Sequence, residues 1–204
     1  ALDLVPSSAS VYDEPFSDAS QLPTTLLCRR ARSQVTVALT GDGGDEVFGG
    51  YNRYTFAPAL WRRAKRIPLA VRRGLPMLAR GLHAWGQREN SWLRAAVAKA
   101  GLPVTTVDRL SAFCDVGGPA ENFAEVYGGL VSTFLRPSQL MHPGLRHRAG
   151  TLAEQRQSIL PDLRSRLSPA EWMMAQDTAG YLPGDILVKV DRAAMAPSLE
   201  TRAP

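Results

Sequence analysis

Val35-Thr36-Val37-Ala38-Leu39-Thr40-Gly41-Asp42-Gly43-Gly44-Asp45-Glu46-Val47-Phe48-Gly49-Gly50-Tyr51 is the stretch that decides the fold. Residues 35–39 have the β-branched and apolar density of a buried strand, and a helical pattern resumes at Glu46. The stretch therefore reads as strand, glycine-rich turn, helix. A parallel strand ending in such a turn places the turn residues at the carboxyl edge of a sheet, where open α/β folds bind nucleotides. Gly41, Gly43 and Gly44 let a ligand approach the backbone and offer N–H groups to an anion. Asp42 and Asp45 add two carboxylates to the same turn. Carboxylates repel phosphates, so nucleotide binding here needs a cation between them. Magnesium, commonly held by one or two carboxylates plus phosphates, fits. The competing reading is a plain polar turn with Asp45 as the N-cap of the next helix.

Working outward, Leu22 to Arg32 reads as a helix with Pro23 in its first turn and Arg29, Arg30 and Arg32 at its end, where cations suit the helix dipole. The helix after the turn is expected to run to about Arg66. Residues 61–100 carry Arg62, Arg63, Lys65, Arg66, Arg72, Arg73, Arg80, Arg88, Arg94 and Lys99 against a single acid, Glu89. Leu69, Val71, Leu75, Leu78, Leu82 and Trp85 interleave with them, which predicts amphipathic helices with a solvated basic face. Residues 101–150 predict short helices broken at Gly117-Gly118-Pro119. Ser168-Pro169-Ala170-Glu171 fits a capping box with proline at the first helical position and launches Trp172 to Tyr181. Leu182-Pro183-Gly184-Asp185 predicts an interruption, after which Ile186 to Ala196 regains helical spacing. There Ile186, Leu187, Val190, Ala193, Ala194 and Met195 form the expected core stripe, and Lys189, Asp191 and Arg192 an exposed face. Glu200 and Arg202, two apart in an extended segment, share a face suited to a substrate's charges or to pairing with each other. No internal repeat is present.

With 24 Lys+Arg, 19 Asp+Glu and 45% hydrophobic residues in 204, the chain has the composition of a globular protein, not a disordered one. Its 17 glycines and 15 prolines are too few and too aperiodic for a collagen-like chain, and no apolar run approaches the ~20 residues of a membrane span. Cys28 and Cys114 make no disulfide framework and lack zinc-site spacing, so a reducing cytoplasm is the simplest expectation. His83, His142 and His147 gather no metal-ligand pattern and read as surface residues. The chain opens at Ala1 without a secretory signal pattern and stops at Ala203-Pro204, which reads as the middle of a longer protein.

The string Thr40 to Tyr51 resembles the second nucleotide-site motif of the asparagine synthetase family of glutamine-hydrolysing ATP-pyrophosphatases. Tyr12-Asp13-Glu14-Pro15-Phe16 upstream, Tyr181 to Ala196 downstream, and Leu199-Glu200-Thr201-Arg202-Ala203-Pro204 resemble that family in the same order. The resemblance implies an α/β synthetase domain of the adenine-nucleotide alpha-hydrolase (Rossmann-like) type, predominantly α-helical in this part, with strand 35–39 adjoining strands from outside the chain. It implies that ATP adenylates the side-chain carboxylate of aspartate, pyrophosphate leaves, and ammonia from glutamine displaces AMP to give asparagine.

On the same resemblance Thr40 and Gly41, with Gly43 and Gly44, contact ATP, and Asp45 holds Mg2+. Asp42 acts at the acyl-adenylate. Many members carry Glu where Asp42 stands, which leaves the acceptor carboxylate open. The family's Ser-Gly-Gly-x-Asp-Ser loop, the N-terminal cysteine of its glutaminase domain, and a lysine beyond the last block are absent. Residues 1–204 are thus expected to be the interior of a synthetase domain, without the glutaminase domain, in a full-length protein that could dimerise. A β-lactam-synthetase-like enzyme acting on another carboxylate is the nearer alternative, and a basic helical module for nucleic acid the more distant one. No membrane partner is expected.

Overall fold

The computed structural model describes residues 4–12, 16, 18–77, 113–132, 142, 144 and 165–203. In chain order its helices and strands are α1 (Val5–Val11), α2 (Gln21–Arg32), β1 (Val37–Leu39), α3 (Gly44–Phe48), α4 (Arg53–Ala64) and α5 (Leu69–Arg72). A π-helical turn π1 (Phe113–Gly117) precedes α6 (Phe123–Val131). Next come α7 (Pro169–Gln176), a π-helical segment π2 (Asp177–Ile186), α8 (Leu187–Met195) and β2 (Glu200–Arg202). The chain divides into two compact units, Ala1–Tyr51 with Glu171–Pro204, and Asn52–Ala170.

In the first unit β1 pairs with β2 in parallel, Val37 opposite Glu200 and Leu39 opposite Arg202. The expected strand thus finds a partner inside the same chain. The Glu200 N–H donates to the Thr36 carbonyl and the Thr40 N–H to the Arg202 carbonyl, both at 2.9 Å. Side chains alternate, so Ala38 turns inward and, like Ala31 of α2, packs against the cluster of Cys28 of α2, Ala193 and Ala194 of α8, and Leu199. The opposite face, Val37 and Leu39 beside Glu200 and Arg202, is exposed among the described residues, with Leu39 at 85%. Sequence density predicts a buried strand, but only one face of it is covered here.

Helix runs unbroken from Pro169 to Met195, and Pro183 lies inside it. The expected interruption at 182–185 is a widening instead. The Leu187 N–H donates to the Leu182 carbonyl, five residues back. A π register relaxes the clash of a proline ring with the carbonyl four residues earlier. The expected exposed face also changes. Lys189 is buried, and its Nζ meets Asp18 Oδ2 at 2.7 Å and Ser20 Oγ at 2.8 Å. The Tyr12 hydroxyl donates to the Lys189 carbonyl at 3.3 Å. Met195 and Leu187, by contrast, are exposed.

In the second unit Tyr54, Ala57, Leu60 and Ala64 form the buried stripe of α4. Asn122 caps α6 by accepting from the Glu125 N–H at 3.1 Å. Arg72, expected on a basic face, is buried. Its Nη1 donates to the carbonyls of Gly117 (2.8 Å) and Ala120 (2.7 Å), its Nε to Ile67 (3.0 Å), and its guanidinium lies over the Trp61 ring. Arg62, Arg63, Lys65 and Arg66 are exposed, and the basic residues from Arg80 to Lys99, with His83 and His147, lie outside the described residues.

Candidate active site

The turn after β1 is shaped by steric permission at single positions. Gly43 has φ 92° and Gly49 has φ 76°, left-handed conformations that cost other residues energy, and they bracket the five residues of α3. The helix expected to run from Glu46 to about Arg66 is therefore two, α3 and α4, broken after the left-handed Gly49 that caps α3. Gly43, and not Asp45, occupies the N-cap position; Asp45 sits in the first turn, where a carboxylate suits the helix dipole. The N-cap reading of Asp45 is thereby corrected.

The Thr40 N–H is committed to the sheet and the Gly44 N–H to the Gly41 carbonyl at 3.1 Å. The N–H groups of Gly41, Asp42 and Gly43 have no hydrogen-bond partner among the described residues. Space is open where side chains at Gly41 and Gly44 would stand. Asp45 is exposed and Asp42 half-buried, and neither carboxylate has a hydrogen bond or ion pair among the described residues. The turn thus leaves both donors and acceptors free beside an open approach.

Beneath it, burial and then the negative charge of Asp42 push the Cys28 thiol above its ordinary range. Cys114 is raised by burial and by Asp115. Both thiols therefore stay protonated and pack as small apolar groups. Glu200 and Arg202, whose Oε1 and Nε lie 2.7 Å apart, pair with each other on the exposed face of the sheet.

Blocks distant in sequence meet here. The carboxyl ends of β1 and β2 lie side by side, α8 packs on α2 and β2, and Leu182 of π2 sits at van der Waals distance from the space above Gly43. No group of three or more His, Cys, Asp or Glu suited to a metal occurs among the described residues. Two unengaged aspartates in an open turn do fit a hard cation shared with phosphates.

The family model described as "Asparagine synthase" matches residues 1–204. The chain belongs to the asparagine synthase family. Domains of this family have the adenine-nucleotide alpha-hydrolase fold, and the two parallel strands among many helices agree with it. The chain is 31% identical over 195 residues to asparagine synthetase (glutamine-hydrolyzing) 1 of Bacillus subtilis, covering 95% of this chain and 26% of that protein. It is 30% identical over 200 residues to a putative asparagine synthetase (glutamine-hydrolyzing) of Mycobacterium bovis, covering 98% and 27%. A 49-residue stretch is 55% identical to a putative asparagine synthetase (glutamine-hydrolyzing) 2 of Methanocaldococcus jannaschii, covering 24% and 10%. The chain thus spans about a quarter of the length of its first two relatives. No solved structure gives a significant match. No helix among the described residues is long and apolar enough to cross a membrane.

Sequence reasoning misses Glu46, Lys189 and Arg72 as buried polar residues. Glu46 leaves a signal by standing next to Asp45 within Thr40–Tyr51, and Lys189 by lying within Tyr181–Ala196.

Proposed function

We propose that this chain is the nucleotide-handling part of a longer ligase that makes an amide from a carboxylate, ATP and ammonia, with aspartate as the acceptor and asparagine as product. The carrying observation is the Thr40–Asp45 turn, whose Gly41–Gly43 amides and two carboxylates have no partner among the described residues and stand at the carboxyl edge of a parallel strand. Family membership and the names of the relatives support the choice of reaction.

In this reading a carboxylate oxygen of aspartate attacks the α-phosphorus of ATP, and the bond to the bridging oxygen breaks to release pyrophosphate. Ammonia, from glutamine in the whole protein, then adds at the activated carbonyl of the β-aspartyl-adenylate, loses a proton, and expels AMP. Thr40, Gly41, Gly43 and Gly44 line the nucleotide, chiefly through the amides left unengaged. Asp45 holds Mg2+, which would neutralise charge growing on the departing pyrophosphate. Asp42 acts near the reacting carboxylate, and Glu200 and Arg202 contribute to the substrate's surroundings. The domain extends beyond residues 1–204, with further strands completing the Rossmann-like sheet next to β1, and the whole protein works in the cytoplasm as a homodimer. A β-lactam-synthetase-like reaction on another carboxylate is the second reading, favoured by Asp42 being one methylene shorter than the family's usual Glu.

Pyrophosphate release by the whole protein from Mg·ATP is the test. Release that requires aspartate and continues with ammonium alone supports the first reading. Release with a different carboxylate selects the second, and no carboxylate-dependent release overturns both. The 204-residue chain alone is expected to be silent.

A further inference from the structure

Among the acids of the turn and α3, Glu46 stands apart: it is 1% exposed, whereas Asp45 and Val47 beside it are exposed. Its Oε1 accepts a hydrogen bond from the Tyr51 hydroxyl at 2.7 Å. The Tyr51 ring in turn makes a T-shaped contact with Tyr181 in π2, with centroids 6.1 Å apart and planes at 74°. At the other end of α3, Gly43 lies under Leu182 of the same segment. The short helix is therefore tied to π2 at both ends.

That tie matters because α3 cannot orient itself. Five residues are far below the ~12 at which an isolated helix becomes even marginal. Both flanking glycines are joints in left-handed conformation. The Asp45 carboxylate makes no hydrogen bond or ion pair among the described residues; it lies against Gly50, in the space a side chain there would fill. Burying a carboxylate is costly, and a well-packed apolar residue often serves stability as well or better. Glu46 is thus poorly explained by stability and well explained by geometry.

We propose that Glu46 and Tyr51 are positioning residues whose hydrogen bond fixes the direction in which Asp45 presents its carboxylate to a divalent cation. The proposal rests on the reading of Asp45 as the magnesium residue, and the test separates the two. In the whole protein, ATP affinity is measured by calorimetric titration with Mg2+ and again with a chelator, alongside thermal midpoints. Asp45→Asn is expected to abolish the affinity that Mg2+ adds. Tyr51→Phe and Glu46→Leu are each expected to reduce that added affinity roughly 10-fold, as outer-shell changes at metal sites do. Their metal-free ATP affinity should equal the wild type's. Glu46→Gln, which keeps an oxygen to accept from Tyr51, should restore most of the loss. Adding Tyr51→Phe to Asp45→Asn should cost nothing more. Lowered midpoints with the Mg2+ increment intact in Tyr51→Phe and Glu46→Leu would overturn the positioning role while leaving Asp45 in place. An intact increment in Asp45→Asn would overturn the magnesium reading and this proposal with it.

Discussion

Two glycine-rich turns carry similar residue types and end in opposite states. In Gly117-Gly118-Pro119, the glycines let backbones come so close that a side chain at Gly118 would run into the Cys114 carbonyl. The carbonyls gathered there are filled by the guanidinium of Arg72. In Thr40 to Asp45, Gly41 and Gly44 leave open space, and neither aspartate is answered by a cation of the described residues. Glycine creates room in both. What differs is whether the chain fills the room itself, and a turn left unfilled is the one that has something to offer a ligand.

The largest effect is expected where the chain closes its own turn. Arg72→Met strands the carbonyls of Gly117 and Ala120 in a buried setting and should cost about 4 kcal/mol by urea denaturation. Arg72→Lys should recover only part, because an ammonium lacks the planar fork of donors. A loss below about 1 kcal/mol would break the contrast between closed and open turns.

Next comes Lys189→Met, which leaves Asp18 partly buried without its cation and should cost about 3 kcal/mol. Burial opposes ionisation of Asp18, but hydrogen bonds from Lys189 and Ser20 outweigh it and hold the carboxyl below its ordinary range. A lowered folded value means that this stabilisation is full above the unfolded pKa of about 3.9 and is lost as pH falls through the folded value. Unfolding free energies measured from pH 6 to pH 2 should show that acid loss in the wild type and little of it in Lys189→Met.

At the open turn the balance reverses, with chemistry affected and stability spared. Asp45→Asn in the whole protein should slow pyrophosphate–ATP exchange by roughly 10²-fold, equivalent to almost 3 kcal/mol of barrier. Its unfolding midpoint should stay at the wild-type value. Asp42→Asn should slow exchange while sparing ATP affinity, and equal losses in both would merge it with the metal residue. The smallest effect belongs to the exposed Glu200–Arg202 pair. Alanine at either position should change stability by less than about 1 kcal/mol, so a clear rise in KM for the acceptor would mark a substrate contact.

Local chemistry is readable in the chain itself. The end of α2 near Arg32, the start of α7 at Pro169 and the sharp bend at Gly43 obey rules that involve a few neighbouring residues: helix propensity, proline at a first turn, and the φ that only glycine adopts freely. The motif by itself also marks Asp42 and Asp45 as candidate site residues.

Distant partners decided the rest. Lys189 looks like a surface residue in the sequence because Asp18 stands 171 residues away, and Arg72 looks like part of a basic face because the carbonyls it fills lie 45 and 48 residues on. Pro183 stays inside a helix because neighbouring turns widen around it, a packing outcome that propensity opposes. Strand pairing of β1 with β2 and the burial of Glu46 under Tyr51 belong to the same class. The sequence by itself determined where the chain bends and which groups could bind. Tertiary structure decided which charges were neutralised within the fold and which stayed open, because burial and pairing depend on residues that only folding brings together.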